Sequence, residues 1–388
     1  MKKMFKLFGI VALSSLLATS CINVDESTDN GVNNGNSNFI VNPNDFKGDI
    51  NVGNVTLQSN TIYKLTGPLV INEGTSLTIP AGTRIEATGG TSAYIVVTQG
   101  GKIYVNGTAS NPVVMTSANA SPAPGDWGGL VICGKAPINS GATASAEVSG
   151  YTYGGTLAND NSGVLQYLRI EYPGAIYNAN KEFNGLSLFG VGNGTVIDYV
   201  QVFRSSDDGY EFFGGTVNTS HLVSSYNEDD QFDWTEGWNG TNTYWFGKLG
   251  NNIGNRGIEA DNLEANFDAT PIANPTINNL TLIGLGNQGS EPDGIKLRRG
   301  TKAQFSNVVI DNFATGINIE HDQTIAFIPA GLFLENTTIT NITNVSKGKN
   351  TLGTTVDVTA AFSAITTAGG AGNGTETPSW TAGWTTGL

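Results

Sequence analysis

Three acidic runs stand out in this chain: Asp207-Asp208-Gly209-Tyr210-Glu211, then Glu228-Asp229-Asp230-Gln231-Phe232-Asp233 with Glu236, then Glu259 and Asp261. Carboxylates grouped in this way can share a proton, activate water or hold a hard cation through oxygen ligands. If the runs are brought side by side, their mutual repulsion must be offset by protonation, pairing or a bridging cation. Ca²⁺ is the simplest such ion, with Asp207, Asp208, Asp230 and Asp233 as its expected ligands. Lys296, Arg298 and Arg299 lie further on and can do part of the same work.

Other chemistries are excluded by what is missing. The two histidines, His221 and His321, are too far apart in sequence to suggest a His-rich metal site or a Ser-His-Asp triad. There is no Gly-x-Ser-x-Gly elbow, no phosphate-binding glycine-rich loop and no Cys-x-x-Cys pair. A net charge of −14, from 19 basic and 33 acidic residues, repels phosphate backbones, so no nucleic-acid partner is expected. Cys133 sits in the apolar run Gly129-Leu130-Val131-Ile132-Cys133 and reads as a buried, inert thiol.

The elements that must position the acidic runs are strands. Short alternating runs recur along the chain, and no helical spacing of apolar residues extends beyond a turn or two after the N-terminal stretch. Runs beginning at Gly185, Gly209, Gln231, Gly257, Gly294 and Gly316 resemble one another, with steps of 24, 22, 26, 37 and 22 residues. A second recurring strand lies between them: Val164–Tyr172, Val196–Phe203, His221–Ser225, Thr243–Lys248, Ile277–Ile283 and Phe305–Ile310. Two or three short strands per repeat of about 22 residues predict an all-β, right-handed parallel β-helix. In register, Tyr210, Phe212, Phe232, Trp234, Ile258, Ile295, Leu297, Ile317 and Ile319 point inward. Glu211, Asp233, Glu259, Lys296 and Asn318 then form one outward row, beside a second of Phe213, Thr235, Asp261, Arg298 and Glu320.

The amino-terminal strands include Leu77-Thr78-Ile79-Pro80-Ala81-Gly82-Thr83, Gly101 to Ala109 and Gly125-Asp126-Trp127-Gly128-Gly129. They resemble the first coils of secreted and surface β-helix proteins common in Bacteroidota and other Gram-negative bacteria. At the start, Lys2, Lys3 and Lys6 precede an apolar stretch from Leu7 to Leu17 that is too short to span a bilayer, as in an export signal. Leu17-Ala18-Thr19-Ser20-Cys21 resembles a bacterial lipobox, which implies lipidation at Cys21 and attachment to the outer membrane. Asp25 and Glu26 resemble the acidic tag that directs such lipoproteins to the cell surface. The expected organisation is a signal peptide over 1–20, a lipidated tether over 21–45 and a β-helix over 46–345. Its first coils occupy 46–135 and its main coils 160–345; a cap or tail follows over 346–388.

The acidic runs also loosely resemble the polygalacturonase family of β-helix glycoside hydrolases. Ser206-Asp207-Asp208-Gly209, Asp229-Asp230, Asn255-Arg256-Gly257 and Gly294-Ile295-Lys296 stand where that family has Asn-Thr-Asp-Gly, a paired Asp, Gly-His-Gly and Arg-Ile-Lys. The histidine and the last arginine are absent. The resemblance implies Asp208 as acid, Asp229 or Asp230 as activator of water in an inverting hydrolase, and Lys296 as holder of a uronate. A Ca²⁺-dependent lyase would use Lys296 or an arginine as base.

The leading expectation from the sequence is a noncatalytic surface module that recognises a glycan or protein. Its ligand face would be built from Glu211, Asp233, Glu259, Asp261 and Arg298. Trp238, Tyr244 and Trp245, on an inserted loop from Trp238 to Asn252, are expected as exposed rings for sugar stacking. A polysaccharide hydrolase or lyase and a structural accessory subunit of an outer-membrane complex are the alternatives. An enzyme needs converging carboxylates with a raised pKa, whereas a binder needs exposed planar rings.

Overall fold

Each alternating run has one apolar side that a single coil cannot bury, so coils must stack and share a core. The computed structural model describes residues 36–148, 150–178, 181–250 and 254–388. The export stretch, Cys21, Asp25 and Glu26 lie outside these residues. Within them the chain winds as a right-handed parallel β-helix. In the main coils each strand pairs in parallel with the strand two places along the chain, so Tyr210–Phe213 joins Leu186–Phe189 and Phe232–Thr235. In the first coils Ile62–Ile71 pairs with both Arg84–Ala87 and Ile95–Val97. No helix among the described residues is long and apolar enough to cross a membrane.

All nine expected inward residues are completely buried. The aromatic part of the core is a stack: Phe212 lies 4.0 Å from Trp238, Phe232 lies 4.4 Å from Trp245, and Tyr210 lies 5.4 Å from Phe232. The indole N–H groups are satisfied, with Trp238 donating to the Val217 carbonyl at 3.2 Å and Trp245 to Thr219 Oγ1 at 2.9 Å. The 26- and 37-residue steps of the repeat absorb irregular segments, and residues 262–275 form the larger insertion.

One corner repeats a left-handed backbone in successive coils, at Tyr167, Tyr199, His221, Tyr244, Asn279, Asn307 and Asn336, with φ between 48° and 61°. Asparagine tolerates this conformation, whereas tyrosine and histidine are strained by it. Stacking of the rings offsets that strain. Tyr167 and Tyr199 are 4.4 Å apart, Tyr199 and His221 4.1 Å, and His221 and Tyr244 4.9 Å, all nearly parallel.

The last coil is covered by the segment before Ala364, in which Val358 and Ala361 are buried and Phe362 pairs with Leu334. Residues 365–388 do not cap the end. They return as a strap along the outer flank, where Ala371 N–H donates to Thr281 Oγ1 at 2.9 Å and Thr386 N–H to Gln201 Oε1 at 2.9 Å. Trp384 is fully buried, edge-on to Tyr167 and Tyr199. Trp384→Ala is expected to remove about 3–5 kcal/mol from strap docking. The loss should be local, so proteinase K should trim the tail at least tenfold faster while the global melt shifts by only a few degrees. Equal trimming rates in variant and parent would show that the strap does not depend on this ring.

Candidate active site

The outward side chains of the recurring strand stack in register. Glu211, Asp233, Glu259, Lys296 and Asn318 occupy equivalent positions on successive coils, as expected, and Ser187 extends the row by one coil. The adjoining row is not all solvent-facing: Phe213 is buried 4.1 Å from Phe189, in an outer apolar cluster with Ile138, Val148 and Tyr153. The two aspartate pairs sit at the corner just before these strands. Asp208 Oδ1 accepts the Asp230 N–H at 2.9 Å, and Asp230 Oδ1 accepts the Arg256 N–H at 2.7 Å. Each buried aspartate therefore ties its corner to the next coil. At Gly209 any Cβ would stand 2.1 Å from Ser224 Oγ, so the glycine of this Asp-Gly corner is required by close approach.

Three groups of carboxylates converge: Asp207, Asp208 and Asp229; Asp208, Glu211 and Asp233; Asp230, Asp233 and Glu259. Within each group one oxygen from every member lies within 4.8 Å of the others. Asp207 and Asp229 are half-buried, whereas Asp208 and Asp230 are buried. Two hairpins, Ala144–Ser145 with Thr152–Tyr153 and Ile176–Asn178 with Lys181–Glu182, bring Glu147 and Glu182 close enough to act on Asp207.

Burial raises the pKa of Asp207 to about 8, and the negative charges of Asp229, Glu182 and Glu147 add to the effect. Asp208 is raised well above the carboxylate range by burial and then by Asp207 and Asp230. Burial also raises Glu211, followed by the charges of Glu147 and Asp208, and it raises Asp233, followed by Glu211 and Glu259. Burial likewise raises Asp230 and Glu259, against the opposing attraction of Arg256. Asp207, Asp208, Glu211 and Asp233 should therefore hold protons in the folded chain that the unfolded chain has released, so folding stability should fall as pH climbs from about 4 towards 8. Urea denaturation at pH 5 and pH 8 tests this. A flat or rising profile would show that these carboxylates are ionised in the native state.

On the far side of the acidic groups the charge is neutralised by cations. Arg256 Nη1 lies 3.1 Å from Asp230 and 2.6 Å from Glu259, and its Nη2 pairs with Glu291. Lys296 pairs with Glu291 at 2.5 Å, Arg298 with Glu259 at 2.5 Å and with Asp261 at 2.8 Å, and Arg299 with Asp261 at 2.6 Å. Burial disfavours the charged form of Glu291, but hydrogen bonds from Lys296 and Arg256 outweigh it and bring its pKa to about 2. Lys296, expected to hold a uronate or act as a base, is itself buried and engaged with Glu291.

The expected sugar-stacking rings are not available. Trp238 and Trp245 are fully buried in the aromatic core, and Tyr244 is half-buried in the corner stack against His221. The segment from Trp238 is not an inserted loop either, because Thr241–Lys248 is a core strand. Sequence reading missed Tyr177, an exposed ring on the second hairpin, edge-on to Phe183. It also missed Asn184 and Ser187, which belong to the coil preceding Glu211. Asn184 donates from Nδ2 to Glu211 at 2.5 Å, leaving its Oδ1 and the Ser187 hydroxyl buried without a partner among the described residues. Cys133 is fully buried, and burial lifts its thiol to about 12, so it is inert as expected.

A comparison with protein families matches residues 48–385 to the pectate-lyase-like β-helix domain. The chain belongs to that family. Membership in the pectate-lyase-like β-helix family accounts for the coil architecture, and the chemistry must be argued from the site. Among solved structures, this member is similar to the catalytic unit of a thermostable GH87 α-1,3-glucanase from Streptomyces thermodiastaticus. The identity is 15%, 86% of this chain and 64% of that chain are covered, and the TM-score is 0.43. It is also similar to the enzymatically active domain of bacteriophage CBA120 tailspike protein 2, with 12% identity, 79% and 42% coverage and a TM-score of 0.27. The chain thus spans less than two thirds of the length of either. No curated protein matches it.

Proposed function

We propose that this β-helix is a polysaccharide-cleaving enzyme whose reaction takes place in the acidic cleft. The observation that carries this reading is the pairing of Asp207, a half-buried acid with a pKa near 8, with the half-buried Asp229 within 4.8 Å. A carboxylic acid that keeps its proton at neutral pH can protonate a glycosidic oxygen, and a second carboxylate can serve as nucleophile or base. Asp207 therefore takes the proton-donor role first expected of Asp208, which is buried and already holds the Asp230 N–H. At least one oxygen of each carboxyl lies within 4.8 Å of the other, and the anomeric configuration of the first product tells retention from inversion. Burial of both tryptophans weighs against the noncatalytic recognition surface.

A second reading, a Ca²⁺-dependent lyase, is favoured by the unpartnered oxygens of Asn184 and Ser187 beside Glu211. Asp208, Glu211 and Asp233 converge, and with these neighbours of Glu211 they offer only oxygen donors, which suits Ca²⁺; the bound ion would supply charge neutralisation for an acidic sugar. The experiment is turnover of neutral and acidic plant, algal and host polysaccharides by the full chain, with Ca²⁺ and with EDTA. Hydrolysis yields saturated reducing ends and survives EDTA. A lyase yields unsaturated, ultraviolet-absorbing ends and needs the ion. Glycan binding with no turnover of any substrate would restore the noncatalytic reading. We place the protein on the outer membrane by lipidation of Cys21; labelled fatty acid should enter the parent chain and not Cys21→Ser.

A further inference from the structure

The corner that carries Asp207 and Asp229 begins, three residues earlier in each coil, with Arg204 and Tyr226. Both lie in the left-handed conformation, with φ of 57° and 61°, and successive coils are tied there by Arg204 N–H to Ser225 O at 3.0 Å and Tyr226 N–H to Lys248 O at 2.8 Å. Together with Lys248, Glu228, Pro124 and Leu285 they line a cavity of about 730 Å³. That size falls within the range of small-molecule and sugar sites, ~300–1,000 Å³. The two cations of its wall stand over rings, one the lining Tyr226 and the other the buried Phe203. Arg204 lies 5.5 Å over the Phe203 ring, Phe203 meets Tyr226 edge-on at 5.8 Å, and Lys248 lies 5.8 Å over the Tyr226 ring.

Every other arginine among the described residues is paired with a carboxylate: Arg84, Arg169, Arg256, Arg298 and Arg299. Arg204 and Lys248 make no ion pair among the described residues and face a cavity instead. A guanidinium fork and an ammonium group flanking an aromatic ring match a pyranose that carries an anionic group. The anion would meet Arg204 and Lys248, the apolar face of the sugar would meet Tyr226, and its hydroxyls would donate to Glu228.

We propose that this cavity is a binding site for an acidic sugar, a uronate or a sulfated hexose, separate from the carboxylate cleft. The site does not depend on the cleft being catalytic. The test is calorimetric titration of the full chain with a galacturonate trisaccharide, a sulfated galactose trisaccharide and neutral galactotriose. At least one anionic sugar should bind ten times or more tightly than the neutral one, and binding should weaken with salt. The anion that binds identifies the source. Arg204→Asn, which keeps a residue tolerant of left-handed backbone, and Lys248→Gln should each weaken binding tenfold or more at an unchanged melting temperature. Asp207→Asn should leave it unaltered, so that loss of turnover and loss of this site are told apart. Equal affinity for the neutral sugar, no binding of either anionic sugar, or unchanged binding in both cavity variants would overturn the proposal.

Discussion

Asp207→Asn is expected to lower polysaccharide turnover by about 10²–10⁴-fold, the usual contribution of a positioned general acid. The asparagine keeps the size and much of the polarity of the side chain and removes only the transferable proton. Most of the loss should therefore fall on kcat, with KM changing little. The pH profile separates this role from a structural one. In the parent chain activity should decline above about pH 8 as Asp207 ionises, because burial and the charges of Asp229, Glu182 and Glu147 set its pKa there. In the variant that alkaline limb should vanish along with most of the rate. Asp229→Asn should also abolish turnover, through loss of the nucleophile or base. Turnover within twofold of the parent in Asp207→Asn would remove Asp207 from the chemistry and leave the lyase or the recognition reading.

Arg256→Met is expected to cost about 3–5 kcal/mol of folding stability at pH 8. The methionine fills most of the arginine's volume, so the effect should be electrostatic. Arg256 is 8% exposed and stands between Asp230, which is 3% exposed, and Glu259, with Glu291 on its other edge. Removing the guanidinium leaves buried carboxylates facing one another across a gap with no cation between them. Burial already pushes Asp230 and Glu259 upward against the pull of Arg256, so without it they should take up protons more readily still. The penalty should accordingly shrink at pH 5, where protonation replaces the missing charge. Adding Asp230→Asn and Glu259→Gln to the variant should recover stability at pH 8. Urea denaturation of the four chains at the two pH values measures both effects, and a loss below about 1 kcal/mol at pH 8 would show that Arg256 is not what holds these carboxylates together.

Both outcomes rest on register, and register was legible before any coordinates. The recurring runs at 185, 209, 231, 257, 294 and 316 align Glu211, Asp233, Glu259, Lys296 and Asn318, and the pairing of the strands places them on successive coils. Side-chain period and repeat length are local properties, so they survive folding unchanged. The inward set was legible for the same reason.

What failed was the assignment of environment to individual rings and acids. Trp238 and Trp245 looked like a ligand platform because the segment from Trp238 to Asn252 reads as an inserted loop. They are core because Thr241–Lys248 is a strand of the stack and Trp238 folds beneath it against Phe212. Asp208 and Asp207 are adjacent in sequence and equal in chemistry. Only the closeness of the next coil decides that Asp208 is buried against a backbone N–H and Asp207 stays half-exposed.

The sequence by itself determined the coil period, the inward and outward sets and the acidic-to-basic order of the outer row, because each follows from the spacing of residue types along one chain. Tertiary structure alone decided which carboxylates are buried, that Arg256 bridges three of them, that residues 365–388 strap the flank, and that Arg204 and Lys248 are left facing a cavity. Those outcomes depend on which residues from separate coils, hairpins and tail come within a few ångströms of one another. Desolvation and Coulomb energies are set by those distances and not by position in the chain.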